Sequence, residues 1–385
     1  MGTYLNPDNS KFQESINSDI YVDKTGLITY TNSVMHTQQK CICVSRPRRF
    51  GKSMAANMLS AYYSRGCDSK ELFQNLEIAE DDQFETYLNQ YDVIFLNVQE
   101  FLSQSKNIDE MISLIRRSVL WDLLGEYPEF RYFDTSNLTR TMQDVYQQTK
   151  CPFVVIIDEW DCVFREYKTN RETQERYLDF LRDLLKDKGY IHLVYMTGIL
   201  PIKKYGTHSA LNMFDEFSMI EPGPLASYVG FTETEVQKLC GQYDMELEEV
   251  KNWYDGYSFD KALSVYSPRS VVSCMRLGKI GNYWNQTETF EALQVYIDMN
   301  FDGLKDDVLS MIAGNQVPVN IGSFTNDMTT FRSEDDVLTL LIHLGYLGYD
   351  SDNKAVFIPN GEIRSEYVNA VSVSDCCLLY TSPSP

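Results

Sequence analysis

The chain has 385 residues, of which 43% are hydrophobic and 23% charged, as in ordinary globular proteins of two or three domains. No apolar run approaches the roughly 18 residues needed to span a bilayer, so we expect a soluble, cytoplasmic protein without membrane contact. The net charge of −21 argues against a broad nucleic-acid surface, because phosphate backbones would be repelled except at a local basic patch.

The first predicted strand, 41–45, leads into a basic run and then a helix-like segment. The run is Arg46-Pro47-Arg48-Arg49-Phe50-Gly51-Lys52-Ser53. A phosphate-binding loop wraps backbone N–H groups and a helix N-terminus around a polyphosphate, sends a lysine to the outer phosphates and places a hydroxyl on Mg²⁺. Lys52 and Ser53 suit these two roles, although Arg46 stands where the usual motif has a glycine. The whole run is therefore predicted to bind a nucleotide.

The arginines of this run have two open interpretations. The guanidinium groups of Arg46, Arg48 and Arg49 clamp phosphate oxygens, or Arg46 and Arg49 pair with acidic residues when no nucleotide is bound. The candidate acidic partners come from one later segment: Asp158, Glu159 and Asp161.

That segment begins with an apolar run, 153–157, which ends in Asp158 and Glu159. A run without alternation indicates a strand buried on both faces, as in a parallel sheet. Carboxylates at its C-terminal end would lie at the edge where such sheets bind ligands. Asp158 is expected to hold Mg²⁺, and Glu159 to activate the attacking water. The alternative is a plain helix start.

Two further apolar runs, 92–98 and 191–197, are separated by helical stretches that include 108–124 and 171–188. This alternation predicts a doubly wound parallel sheet in which the strands that carry Lys52 and Asp158 are not sequence neighbours. Thr197, which ends the fourth strand, would then place a hydroxyl near the γ-phosphate as a sensor of hydrolysis. The alternative for Thr197-Gly198 is a simple strand-ending turn.

Several motifs, taken in order, resemble the AAA-ATPase-like family of bacterial and archaeal proteins. Beyond the basic run they are Tyr21-Val22-Asp23-Lys24-Thr25, Ile157-Asp158-Glu159-Trp160-Asp161, Thr197-Gly198-Ile199, Ser209-Ala210-Leu211-Asn212 and Trp253-Tyr254-Asp255-Gly256-Tyr257. The resemblance reaches to about Tyr367 and makes Arg46 in place of glycine a family trait. It implies ATP binding, hydrolysis and, in many members, a nuclease-like C-terminal domain.

Three other features of the chain are weighed against simpler explanations. Tyr21 stacks on the adenine ring, or it packs on an edge strand while Asp23 caps the next helix. Lys203 or Lys204 neutralises transition-state charge, or each is a solvated lysine. His208 has no spaced partners that would make it a metal ligand.

The chain beyond 220 is predicted to be mainly helical, with domains at 1–220, 221–300 and 301–371. Thr232 and Glu235 form a capping box at a helix start. The aromatic run 253–259 is a structural corner, or alternatively a lid or partner-binding surface. A helix at 337–344 followed by two short strands resembles a winged helix with too few cations for DNA. Residues 372–385 are expected to be an artefactual or disordered tail, with the nuclease-like portion missing.

The resulting expectation is a P-loop ATPase with ATP and Mg²⁺ as cofactors, which couples hydrolysis to rearrangement of the helical region from about Pro222 onward. One alternative is a nucleotide-gated scaffold with little hydrolysis that holds a protein partner. Another, suggested by the resemblance, is the ATPase half of a defence-type nuclease.

Overall fold

The computed structural model describes residues 2–202, 211–259, 263–284, 293, 303–324, 331 and 333–380, and of residues 323 and 373–380 only the backbone. The chain forms two compact units. The first unit contains the chain up to Ser45 and then Gly51–Ser218. The second unit contains Arg46–Phe50 and the chain from Met219 onward. The boundary expected at 300 lies outside the described residues and stays a prediction.

The first unit alternates strands and helices. Its strands are β1 Cys41–Ser45, β2 Asp92–Asn97, β3 Phe153–Asp158, β4 Ile191–Gly198 and β5 Asp215–Phe217. Its helices are α1 Ser10–Ile16, α2 Gly26–Val34, α3 Lys52–Tyr63, α4 Lys70–Phe73, α5 Phe84–Tyr87, α6 Val98–Ser103, α7 Ile108–Glu126, α8 Leu138–Thr149, α9 Cys162–Glu166 and α10 Arg171–Leu185.

These five strands form one parallel sheet in the order β2-β3-β4-β1-β5. Every residue of β1 and β3 is buried, which explains why their sequences are apolar without alternation. The predicted parallel α/β sheet is confirmed. Strand β2 comes between β1 and β3 in the sequence, as predicted, and within the sheet β4 lies between them.

Helix α10 shows why the sequence pattern located the helices correctly. Asn170 caps its start by accepting a hydrogen bond from the backbone N–H of Thr173 at 3.1 Å. Its apolar face, which includes Tyr177, Leu181 and Leu184, is buried.

The second unit is mainly helical and contains two small antiparallel sheets, β6-β8-β7 and β10-β11-β9. Its strands are β6 Phe231–Thr232, β7 Tyr257–Phe259, β8 Leu263–Tyr266, β9 Val317–Pro318, β10 Gly348–Asp350 and β11 Ala355–Phe357. Its described helices are α11 Glu233–Tyr243, α12 Leu247–Tyr254, α13 Pro268–Leu277, α14 Leu304–Ile312, α15 Glu334–Leu344 and α16 Gly361–Tyr380.

Two predicted features of the second unit are confirmed. The Thr232 and Glu235 capping box opens α11, with the Glu235 carboxylate accepting from the Thr232 backbone N–H at 2.7 Å. Helix α15 is followed by the expected pair β10 and β11, to which β9 adds a third strand. The tail expected from residue 372 overlaps α16, whose backbone stays helical to Tyr380.

Candidate functional site

The predicted phosphate-binding lysine and serine open helix α3. Gly51 precedes the helix with φ +89°, a left-handed conformation that glycine adopts without the steric cost of a Cβ atom. Lys52 is buried, whereas Ser53 is exposed. The first N–H groups of an α-helix have no acceptor inside that helix, and the helix dipole favours anions there. The start of α3 therefore has the chemistry that an anionic phosphate needs.

The predicted acidic pair closes β3. Asp158 is the last residue of the strand and pairs in register with Asn97 of β2 and Thr197 of β4. Its carboxylate accepts hydrogen bonds from the Ser53 hydroxyl and, at 3.0 Å, from the backbone N–H of Glu159. The structure thus brings the first turn of α3 to the C-terminal end of β3, within the first unit.

Burial and charge act against each other at this point. Burial lowers the pKa of Lys52, and the carboxylates of Glu159, Asp161 and Asp158 oppose that shift. Burial also raises the pKa of Asp158, against the hydrogen bond from Ser53, which favours the ionised form. A buried ammonium group close to three carboxylates can exchange these partners for a metal ion and phosphate oxygens.

A cation that the sequence analysis did not single out, Arg165, pairs with two of these acids. Its Nη2 lies 2.5 Å from Oε2 of Glu159, and its Nε lies 3.3 Å from Oδ2 of Asp161. The guanidinium is mostly buried, and Asp161 is fully buried. Arg165 follows Asp161 by four residues, so the helical i, i+4 rule applied to α9 would have identified this pair.

The backbone around Glu159 is held in an unusual conformation. Glu159 has φ +55°, a region that costs a residue with a Cβ atom about 1–2 kcal/mol. The next residue, Trp160, is fully buried; its N–H donates to the carbonyl of Thr197 at 3.1 Å, and its carbonyl accepts from the Tyr177 hydroxyl at 2.9 Å. These bonds to β4 and α10 hold the strained turn in place, as is typical of functional sites.

Thr197 is placed beside the acidic pair by the sheet register. It neighbours Asp158 on β3 and Val44 on β1. Its hydroxyl is buried and has no hydrogen-bond partner among the described residues. Because an unsatisfied buried hydroxyl is costly, this atom is a candidate for a ligand contact, and its role as a sensor stays a prediction.

Tyr21 lies in an aromatic cluster of the first unit. Its ring meets Phe12 edge-on at 6.3 Å, and Phe12 stacks on Phe73 at 4.9 Å. Burial and the nearby Asp23 carboxylate raise the pKa of Tyr21. Asp23 itself accepts hydrogen bonds from the backbone N–H groups of Thr25 and Glu77. These contacts suit a packing role, and stacking of Tyr21 on adenine stays a prediction.

The remaining candidates are the rest of the basic run and three residues after β4. Arg46, Arg48, Arg49 and Phe50 belong to the second unit and pack with its residues. Their direct contact with a nucleotide stays a prediction. Lys203, Lys204 and His208 lie outside the described residues.

The sheet order and the residues at the ends of β1 and β3 define a P-loop NTPase fold of the AAA type. A family model described as "Predicted AAA-ATPase" matches residues 9–207, just over half of the chain. The chain belongs to this family, as its motifs predicted. The matched span contains every candidate site residue from Tyr21 to Thr197.

The chain is also similar to a curated relative and to solved structures. An uncharacterized protein in the vnfD 5'region of Azotobacter chroococcum mcd 1 is 22% identical over 280 residues, which cover 70% of this chain and 51% of the relative. The chain therefore spans about half the length of that relative.

Among solved structures, the Aeropyrum pernix ORC2 protein is 11% identical with a TM-score of 0.39, and the alignment covers 96% of this chain and 99% of that one. Cdc6p from Pyrobaculum aerophilum is 10% identical with a TM-score of 0.32, covering 97% and 100%. Scores this low support no functional comparison. In the part of the chain that the structure describes, no helix is long and apolar enough to cross a membrane.

Proposed function

We propose that this protein binds ATP with Mg²⁺ at the start of α3 and hydrolyses it. The observation that carries the proposal is the meeting of Ser53 and Lys52 with Asp158 and Glu159. The Ser53 hydroxyl is hydrogen-bonded to Asp158, and the buried ammonium group of Lys52 interacts with both carboxylates. A lysine, a hydroxyl and an acidic pair at this edge of a parallel sheet are the parts that phosphoryl transfer to water requires.

The donor set fits a magnesium ion. Mg²⁺ prefers oxygen ligands and keeps several waters, so one hydroxyl and one carboxylate are sufficient protein ligands. Ser53 and Asp158 supply these two groups. Burial raises the pKa of Asp158, and a bound cation would favour its ionised form. When bound, the ion would neutralise charge on the phosphate oxygens.

The chain's own residues account for the rest of the reaction. Lys52 binds the outer phosphates, and the first N–H groups of α3 orient them. Glu159 accepts a proton from water as the water oxygen bonds to the γ-phosphorus. The bond between that phosphorus and the bridging oxygen breaks, and ADP leaves with the electron pair. The Thr197 hydroxyl would donate a hydrogen bond to a γ-phosphate oxygen and report its loss.

The matched test compares Mg·ATP turnover and nucleotide affinity in four proteins. We expect Lys52→Ala to lose binding, and Glu159→Gln to bind normally while kcat falls by about 100-fold or more. Glu166→Gln, a change of the same kind at an exposed position of α9, serves as the control and should match wild type. Turnover that is unchanged in Glu159→Gln would refute the catalytic assignment.

A specific observation favours the nucleotide-gated switch as the second candidate. Because Glu159 is paired with Arg165 at 2.5 Å, its carboxylate oxygen is occupied by the guanidinium and can accept a proton from water only when that pair opens. If it stays closed, the protein binds ATP and turns it over slowly. Tight ATP binding with turnover that is equally slow in wild type and Glu159→Gln would favour the switch over the motor.

In either case we propose that nucleotide state is transmitted to the second unit, from about Pro222 onward. The chain passes into that unit after Ser218, and its residues 46–50 belong to it as well. We expect Mg·ATP to change the rate at which a protease cleaves the chain beyond residue 222 in wild type. The Lys52→Ala variant should show no such change.

A further inference from the structure

Residues 46–50 leave the first unit between β1 and α3 and are packed inside the second unit. Arg46 is fully buried, and its guanidinium lies 5.0 Å from the centre of the Phe259 ring. A desolvated cation over an aromatic face is attracted by the negative potential of the ring. Phe50 is also fully buried and meets the Tyr257 ring edge-on, with centroids 5.4 Å apart.

A second contact holds the same segment through its proline. The Tyr257 hydroxyl donates to the carbonyl of Gly345 at 2.6 Å. Gly345 ends α15 with φ +85°, and a Cβ atom at this position would lie 2.8 Å from Cβ and Cγ of Pro47. Such a distance is shorter than real Cβ atoms tolerate, so only glycine allows Pro47 to approach this closely.

A third contact involves Arg49. Its Nη1 lies 3.5 Å from the carbonyl oxygen of Tyr283. The N–H groups of Tyr283 and Trp284 both donate to Oε1 of the buried Glu362, at 2.6 and 2.9 Å. Arg49 itself has φ +70°, outside the regions that a residue with a Cβ atom prefers. The contact therefore joins the strained backbone at Arg49 to the segment of the second unit that Glu362 holds by hydrogen bonds.

We propose that Tyr257, Phe259 and Gly345 are positioning residues for the phosphate-binding loop, so that the second unit sets the affinity of the first unit for nucleotide. The segment they hold is joined directly to Gly51 and Lys52, and a five-residue link anchored along its length transmits its conformation to both. Coupling is reciprocal, so bound nucleotide must stabilise the same contacts. This inference rests on the proposed nucleotide binding.

The sharpest test compares two glycines of the second unit. Gly345→Ala adds a methyl group against Pro47, whereas Gly314→Ala adds one at φ +96° with no atom within 4 Å. Both variants carry the strain of a left-handed residue, so the comparison isolates the contacts of the added methyl group, which lies 2.8 Å from Pro47 and 3.0 Å from the Trp284 ring. We expect Mg·ATP to bind Gly345→Ala at least about tenfold more weakly than Gly314→Ala, at matched thermal stability of the proteins.

A second pair of variants, with smaller changes in structure, tests the inference if Gly345→Ala does not fold. Tyr257→Phe removes the hydroxyl that donates to Gly345, and Tyr190→Phe removes a hydroxyl that donates to the Thr139 carbonyl in the first unit. Only Tyr257→Phe should weaken nucleotide binding. Hydrogen exchange adds a reciprocal readout: Mg·ATP should slow exchange at residues 257–259 and 345–347 in wild type but not in Lys52→Ala.

The outcomes separate the two proposals. Wild-type protein that does not bind Mg·ATP overturns the proposed function, and this inference with it. Wild-type protein that binds, together with equal affinities for Gly345→Ala and Gly314→Ala and for the two tyrosine variants, overturns this inference alone. A selective loss in Gly345→Ala or Tyr257→Phe, with nucleotide-dependent protection of 345–347, supports it.

Discussion

Arg165 is the residue whose removal should be most damaging to the first unit. It is mostly buried and pairs with Asp161, which is fully buried, and with Glu159. Removing one partner of a buried ion pair leaves an uncompensated charge, so Arg165→Ala should lower the free energy of unfolding by about 3 kcal/mol or more. Urea denaturation at neutral pH measures this.

The control for Arg165 is Arg171→Ala, which also breaks an arginine–carboxylate pair. Arg171 lies 2.9 Å from Glu175, but both side chains are more than half exposed. Exposed pairs of this kind contribute less than about 1 kcal/mol. Equal costs for the two variants would show that the Arg165 pairs carry no special stability.

Glu362 gives the protein a pH-dependent stability. Burial raises its pKa to about 7, against hydrogen bonds from Ser270 and from two backbone N–H groups, while the Glu366 carboxylate adds to the rise. The folded protein therefore keeps this proton up to about pH 7, whereas the unfolded chain loses it near 4.5. Stability should decline as pH rises between these values, by up to about 3 kcal/mol, and level off above.

Glu362→Gln keeps the shape of the side chain and removes the titrating group. The stability of wild type relative to this variant should fall from pH 5 to pH 8, as measured by urea denaturation. Glu249→Gln, at an exposed position of α12, controls for the general effect of losing a carboxylate. A wild-type minus variant difference that does not change with pH would contradict the assignment to Glu362.

Sequence reasoning found the residues whose chemistry is tied to a local motif and missed those defined by three-dimensional packing. Lys52, Ser53 and Asp158 stand at strand and helix ends that the apolar pattern locates, so their meeting was predictable. The i, i+4 spacing could have indicated that Arg165 pairs with Asp161, but that the pair is buried is known only from the structure. Gly345 could not be found, because its contact with Pro47 joins positions about 300 residues apart.

At the scale of single elements, the end of β4 fixes the acidic turn that follows β3. A Cβ atom on Gly198 would lie 2.6 Å from Oδ1 of Asp161 and 2.7 Å from the Trp160 indole ring. Gly198→Ala should therefore displace the turn that carries Glu159, lower the free energy of unfolding by about 1–3 kcal/mol, and weaken Mg·ATP turnover.

Gly189→Ala is the matched change just before the same strand, since a Cβ atom there meets nothing within 4 Å. It should leave both unfolding and turnover near wild type. Denaturation and turnover assays on the two variants give the comparison. If Gly198→Ala turns over Mg·ATP as fast as Gly189→Ala, the geometry of this turn does not affect catalysis.

The same scale shows why some elements were predictable and others were not. Buried parallel strands are long apolar runs, so β1 to β4 were located within about one residue. Strand β5 has three residues, one of them exposed, and gives no periodic signal. The pattern at 337–344 located α15 but missed its first three residues, which are acidic.

At the scale of the whole molecule, the chain crosses between its two units more than once. It leaves the first unit after Ser45, returns at Gly51 and leaves again after Ser218. The boundaries predicted from the sequence, at about 220, 300 and 371, include none inside the basic run, because nothing in that run marks its residues as part of another unit. The basic residues of this loop indicate phosphate binding. They do not indicate its packing partners, because those residues lie far along the chain.

Nucleotide binding should raise the thermal stability of the whole protein. A ligand that binds only the folded state at 100 times its Kd stabilises that state by about 2.7 kcal/mol. Mg·ATP should raise the thermal unfolding temperature of wild type, and the increase should disappear in Lys52→Ala. Lys70→Ala, which removes an exposed lysine paired with Glu85, should retain it. An equal increase in Lys52→Ala would place the nucleotide away from the start of α3, because the buried ammonium group could not then be its phosphate ligand.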